Sequence, residues 1–158
     1  MDFVHGQLAT ALKIRVPTVV DTFTSYAPVT DPRLSYRAEN VVQSLNTACT
    51  QVGFPKIIRL DHGSEFISRD LVLSTYANGA TLDFSRPGKP TDKAFIETFD
   101  GRSRLEYLNA HWCLSLADAR EELEDWRRYY NEQSPHGAIG QKPPISLLNN
   151  AGDIRLPL

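Results

Sequence analysis

A chain of 158 residues, 41% hydrophobic and 23% charged, has the size and balance of one soluble globular domain. No apolar run approaches the roughly 18 residues that a bilayer span requires, and no basic stretch with an apolar segment behind it opens the chain, so neither a membrane protein nor a secreted one is expected. The net charge of −2, from 17 basic and 19 acidic side chains, argues against a protein whose main task is gripping phosphates, though not against a site that gathers carboxylates around cations.

The first third reads as strands. Met1-Asp2-Phe3-Val4 begins an extended segment, residues 13–21 are β-branched and long enough for a second strand, and residues 25–30 make a third that ends at Asp31-Pro32. Short links between them predict an antiparallel meander. The period then changes. Val41, Val42, Leu45, Ala48, Cys49 and Val52 recur at steps of three and four, one face of a helix over 39–52 that Gly53 stops. Residues 56–61 form a short apolar strand, so strand, helix and strand read as a crossover unit. Ser68 caps a second helix that Gly79 stops, and Thr81-Leu82-Asp83-Phe84 is a fifth strand.

Residues 86–92 hold two prolines and a glycine and must be a loop, followed by a helix over 93–109. Ser115, with Asp118 three residues on, opens the clearest helix in a capping-box arrangement. Leu116, Ala119, Leu123, Trp126 and Tyr130 are its core-facing stripe. These elements describe an α/β domain of ribonuclease H-like type, a five-stranded mixed sheet flanked by helices. Residues 1–132 form its core, and 133–158, with Pro135, Pro143 and Pro144, an irregular tail. Cys49 and Cys113 lie far apart without zinc-type spacing and read as reduced cysteines of a cytoplasmic protein.

Three acids stand out by position. Asp2 lies on the first strand, Asp61 closes the fourth, and Glu97 sits early in the helix behind the proline-rich loop. Sites in open α/β sheets form at strand ends where the strand order reverses, and an order 3-2-1-4-5 would set Asp2 beside Asp61. Such a cluster suits phosphoryl transfer on DNA, in which two magnesium ions about 3.5–4 Å apart activate the attacking oxygen and stabilise the leaving one. A lone acid is more often a cap, a turn residue or a surface charge, so spacing and neighbours decide.

Asp61-His62-Gly63-Ser64-Glu65-Phe66 resembles the D-N-G-x-E-F run around the second aspartate of retroviral integrases and related bacterial insertion-sequence transposases. Phe95-Ile96-Glu97-Thr98-Phe99-Asp100-Gly101-Arg102 resembles the I-E-S-F-N-G-x run that carries their glutamate, and 35 residues separate Asp61 from Glu97, as in the D-35-E spacing. Met1-Asp2-Phe3-Val4 is similar to the strand with the first aspartate. Arg86-Pro87-Gly88-Lys89-Pro90-Thr91, Leu108-Asn109-Ala110-His111-Trp112 and Tyr129-Tyr130-Asn131-Glu132 match further. The chain thus resembles the catalytic core of a DDE transposase of the retroviral-integrase superfamily. The likeness is greatest to transposases that encode a separate helix-turn-helix protein upstream.

That resemblance implies two Mg²⁺ or Mn²⁺ ions, with Asp2 bridging both, Asp61 completing one site and Glu97 the other. It implies water attack on a phosphodiester and then attack of the freed 3′-hydroxyl on a second DNA strand, with no covalent enzyme intermediate. DNA is the partner, a homo-oligomer the working form, a helix-turn-helix protein a further partner, and the nucleoid of a bacterial cytoplasm the place. Asp21, at the end of the second strand, is the rival of Asp2 for the first position. Glu65 is within reach of the site, with a structural role, or one supporting the site's ligands from behind, favoured.

Arg86, Lys89, Lys93, Arg102 and Arg104 outnumber the nearby acids and are the candidates for holding DNA. Lys93, Glu97 and Arg104 fall on roughly one helix face, which sets a base beside the metal carboxylate for a phosphate, though ordinary salt bridges would use the same spacing. The loop over 86–92 is placed to close over DNA. His62 and His136 are read as tolerated and structural. Several departures from the pattern stand out. The chain opens one residue before Asp2, Pro17 interrupts a central strand, Asp100 replaces the usual asparagine, and Lys93 stands where asparagine is frequent. They support a second expectation, an N-terminally truncated, inactive remnant that self-associates or binds DNA weakly. Within enzymes the alternative is a metal-dependent nuclease that cuts without joining.

Overall fold

Runs of buried residues, Phe3-Val4 on one strand and Val16-Pro17-Thr18 on the next, build the first sheet. In the computed structural model, which describes residues 1–89, 93–109 and 112–150 without the side chains of Asn149 and Asn150, β1 (Asp2–Gln7) pairs antiparallel with β2 (Lys13–Val19). Asp2 lies opposite Thr18 and Gln7 opposite Lys13. β3 (Val29–Thr30) adds to the far side of β2 at Thr18 and Val19. It is shorter than the 25–30 expected, because the chain is still turning there. The Ser25 N–H donates to the Asp21 carbonyl at 2.8 Å, and Ser25 holds a left-handed φ of 61°. Of the sequence features above, Pro90, Thr91 and Asp92 of the loop, Ala110 and His111 of the 108–112 motif, and the tail from 151 lie outside the described residues.

Pro17 fits within β2. Arg15 exchanges both backbone hydrogen bonds with Arg33 on the β3 side, so by the two-residue period Pro17 turns its missing N–H to that side as well. There the pairing is interrupted between the Arg15–Arg33 bridge and Thr18, so no ladder bond is lost.

α1 (Ala38–Val52) ends where Gly53 takes φ 82°, and leads to β4 (Ile57–Leu60). α2 (Arg69–Ala77), capped by Ser68 Oγ accepting from the Leu71 N–H, carries the chain over to β5 (Thr81–Phe84), parallel to β4. The five strands therefore form two ladders, β1-β2-β3 and β4-β5, and not the continuous 3-2-1-4-5 ladder expected. The Met1 nitrogen donates to the Arg59 carbonyl at 2.8 Å, linking the head of β1 to β4, but a single bond is not a ladder.

α3 (Ala94–Ser103) runs straight into a π-helical turn (Arg104–Leu108), closed by the Asn109 N–H on the Arg104 carbonyl at 2.9 Å. α4 (Leu116–Glu132) begins with the predicted reciprocal cap, in which Ser115 and Asp118 each accept from the other's N–H at 3.1 Å. The helices make two cores. Ile14, Val16, Phe99, Tyr107, Leu123, Trp126 and Tyr130 pack one, between the meander, α3 and α4. Phe3, Val41, Leu45, Ile58, Leu60, Phe66 and Leu71 pack the other, under α1 and α2. Cys49 and Cys113 are free and buried, one in each core.

Asn131 fastens α4 to the meander. Its amide accepts from the Ala27 N–H at 2.9 Å and donates to the Ala27 carbonyl at 2.8 Å. The tail, expected to be irregular from residue 133, instead forms a 3-10 turn (Gly137–Ile139) and α5 (Pro144–Asn150), which packs on α4. Pro144 opens that helix at the position where a missing N–H is harmless. Among the described residues no helix is long and apolar enough to cross a membrane.

Candidate active site

The end of β4 sets the first acid. Leu60 is buried in the core beneath α1, β4 ends there, and Asp61 sits half-exposed at its mouth. The residues that follow hold the turn in place. A Cβ on Gly63 would meet the Glu65 carboxylate at 3.0 Å and the Phe66 ring at 3.4 Å, so a larger residue would press on both. Phe66 is fully buried and stacks on Phe3 of β1 at 5.2 Å between ring centroids. Glu65 is paired with Arg15 of β2, whose guanidinium lies over the Phe3 ring at 4.4 Å. That hydrogen bond from Arg15 holds the Glu65 carboxyl below the usual range. Glu65 thus ties the meander to the β4 turn, the structural role expected of it.

Helix α3 brings the second acid. Glu97 lies in its first turn, exposed, where the positive end of the helix dipole favours an anion. One turn earlier, Lys93 caps the helix and sends its ammonium to Asp61, Nζ to Oδ2 at 2.9 Å. The other Asp61 oxygen accepts from the His62 N–H at 2.7 Å. The hydrogen bond from Lys93 keeps the Asp61 carboxyl below its ordinary range, and the same contact holds the Lys93 ammonium above its own. Asp2 and Glu97 add their fields at Lys93. Asp61, Lys93 and Glu97 line a cleft of about 450 Å³ together with His62, Arg86 and Lys89. Ser85 anchors its rim, since its N–H and Oγ both donate to the Leu60 carbonyl, at 2.9 and 3.0 Å.

Asp2 opens β1 beside Thr18, and its Oδ1 accepts from the Phe3 N–H at 2.7 Å. The rival Asp21 is committed to its own turn, with Oδ2 accepting from the Thr24 hydroxyl at 2.5 Å and the Thr24 N–H at 3.2 Å. Of the five bases expected to hold DNA, Arg86, Lys89 and Lys93 line the cleft. Arg102 faces the tail, donating to Ser134 Oγ at 2.8 Å, pairing with Glu106 at 3.1 Å and lying beside His136 Nδ1 at 3.1 Å. Arg104 is exposed at the start of the π turn.

Two features had no signal in spacing. One is the Lys93–Asp61 pair, formed across 32 positions of sequence. The other is Asp100, which is 4% exposed, has Oδ1 without a partner among the described residues, and is pushed up to about 6 by burial, with the charge of Asp2 adding to the shift.

Residues 1–90 match one family model described as integrase core domain, and residues 78–144 match a second of the same description. The chain belongs to the integrase core domain family. It is 41% identical over 150 residues to an uncharacterized 39.2 kDa protein of insertion element IS476 from Xanthomonas euvesicatoria, covering 95% of this chain and 43% of that protein. It is 43% identical over 146 residues to an uncharacterized 31.7 kDa protein of insertion element IS407 from Burkholderia multivorans, covering 91% and 52%. The chain therefore spans about half the length of these relatives. The HTLV-2 integrase catalytic core domain, solved in complex with magnesium in a trimeric form, superposes with a TM-score of 0.73 at 16% identity, over 92% of this chain and 90% of that one. The fold is thus that of integrase catalytic cores, which are ribonuclease H-like.

The donor chemistry of this integrase core fits a hard divalent cation, since Asp2, Asp61 and Glu97 offer carboxylate oxygens and no nitrogen or sulfur. Their present spacing does not yet enclose one. Among the described residues no three acidic, histidine or cysteine side chains stand close enough to hold an ion, and the cation on Asp61 is Lys93.

Proposed function

We propose that this integrase core cuts and joins DNA for a bacterial insertion element, with Asp2, Asp61 and Glu97 as its catalytic acids. The observation that carries the reading is the cleft in which Asp61 and Glu97, with 35 residues between them, face Arg86, Lys89 and Lys93. Carboxylates for cations and bases for phosphates in one cleft are what phosphodiester chemistry requires.

In this reading Asp2, Asp61 and Glu97 would hold Mg²⁺ or Mn²⁺, two ions when active. The metal would supply Lewis-acid stabilisation of the attacking and leaving oxygens. A water oxygen bonds to phosphorus and the bond to the 3′ oxygen breaks, leaving a 3′-hydroxyl. That hydroxyl then attacks a phosphorus of a second strand, and a second 3′ oxygen leaves. Arg86 and Lys89 position the backbone, with Lys93, Arg102 and Arg104 as further candidates. Strand order 3-2-1-4-5 is the arrangement that sets Asp2 beside Asp61, and the Met1–Arg59 hydrogen bond supports it. DNA and further copies of the chain are the partners, in line with the trimeric form of the HTLV-2 core, and the resemblance adds a helix-turn-helix protein. The bacterial relatives support the cytoplasm as the compartment.

The test is nicking of a supercoiled plasmid and strand transfer of a labelled duplex end in Mn²⁺ or Mg²⁺. Metal-dependent cutting is expected, and Asp61→Asn and Glu97→Gln should each lower it by about a hundredfold or more. Cutting that survives in both variants would remove the assignment. DNA binding without cutting in the parent chain would favour the inactive remnant.

A further inference from the structure

Lys93 occupies one oxygen of Asp61. Its ammonium lies 2.9 Å from Asp61 Oδ2, lines the cleft that Glu97 also lines, and stands in the fields of Asp2 and Glu97. No other ion pair of Asp61 is present among the described residues. The pair is also loosely held. The Lys93 and Asp61 side chains are 29% and 41% exposed, and ion pairs so open to water contribute little and exchange readily.

We propose that Lys93 is a tethered cation of the catalytic site, neutralising Asp61 while no divalent ion is bound and leaving it when one binds. Metal loading is then an exchange, in which a divalent ion takes the Asp61 oxygen and the lysine turns away. The ammonium stays in the cleft with Arg86 and Lys89, where a DNA phosphate is the matching anion. Lys93 is in this sense a positioning residue that sets the affinity and order of metal binding. The inference rests on the reading of Asp61 as a metal ligand.

The residue makes a prediction that an ordinary surface salt bridge would not. A neutral side chain at 93 removes the competitor without removing a ligand, so metal should bind more tightly in a variant that has lost a charge contact. A flexible cation of the same sign should leave affinity as it was.

The experiment is Mn²⁺ titration of the parent chain, Lys93→Asn, Lys93→Arg, Lys93→Asn/Asp61→Asn and Asp61→Asn at one fixed pH. Free Mn²⁺ is read by its electron paramagnetic resonance signal and the melting temperature by circular dichroism. Lys93→Asn should bind Mn²⁺ about tenfold more tightly than the parent and show the larger metal-induced rise in melting temperature, because a single positive charge has left the site. Lys93→Arg should bind like the parent, and both Asp61→Asn chains should bind far more weakly. Equal affinity in the parent and Lys93→Asn, lost in both with Asp61→Asn, would overturn the exchange and leave Asp61 as a ligand. Tighter binding in Lys93→Asn that survives Asp61→Asn would overturn it by placing the ion elsewhere. Absence of Mn²⁺ binding in every chain, each with a cooperative melt, would overturn both the exchange and the metal site.

Discussion

At the scale of single residues, Asp100 is the side chain whose chemistry runs against its surroundings. Burial favours its neutral form, and the nearby charge of Asp2 adds to the effect. A carboxyl with a raised folded pKa contributes stability that is complete below its ordinary 3.8 and is lost as the pH climbs through about 6. The parent chain should therefore lose stability between those values relative to Asp100→Asn. Above pH 7 the variant should be the more stable by about 2–3 kcal/mol, as urea melts of both at a series of pH values would show. The same scale marks what the sequence could and could not reveal. Asp61 and Glu97 stand out as candidates because spacing and flanking residues survive as a string, and the two line one cleft. The contact of Lys93 with Asp61 was not legible, because a side chain at a helix cap reaches a strand end 32 positions away only after both elements are packed. Glu65 fell between, since its run was readable but its partner Arg15, on another strand, was not.

Among the elements, legibility followed local chemistry. The Ser115–Asp118 cap and the Gly53 stop stand where their backbone geometry demands them. The third strand shrank because a turn at 21–26 consumes residues whose β-branching and aromaticity look extended. Helix α5 went unseen because prolines were read as breakers, whereas at a first helical position they are starters. α4 owes its seat on the meander partly to Asn131, which meets both backbone groups of Ala27. Asn131→Ala would leave the buried Ala27 N–H without its acceptor, while Arg127 still donates to the carbonyl at 3.0 Å. A loss of about 2 kcal/mol is expected in urea unfolding, with no change in its slope.

For the molecule as a whole, the decisive arrangement is that two ladders and two cores meet at a cleft. Their layering was visible in the change of hydrophobic period, but the split between ladders was not, since pairing across a seam leaves no mark on either strand. Overall charge is −2, so the proposed DNA contact is assigned to the few bases in the cleft and not to the surface as a whole. With Arg86, Lys89 and Lys93 as the phosphate contacts, log affinity should fall against log salt with a slope of about −3 or shallower. A steeper slope in a fluorescence anisotropy titration would bring Arg102 and Arg104 into the contact surface. The π turn behind α3 carries the cleft's link to the interior, with Tyr107 buried and its hydroxyl donating to the Ala119 carbonyl at 3.1 Å. In an uninterrupted α-helix Tyr107 would sit about 80° around the axis from Phe99, and the wider π turn brings the two closer to one side. A turn of this width holds one residue more than an α turn, so deleting one residue from it would restore the ordinary winding and leave Glu97 and Tyr107 facing nearly as they do now. The π turn at 104–108 therefore takes up a residue of chain length that would otherwise swing a side chain two turns upstream.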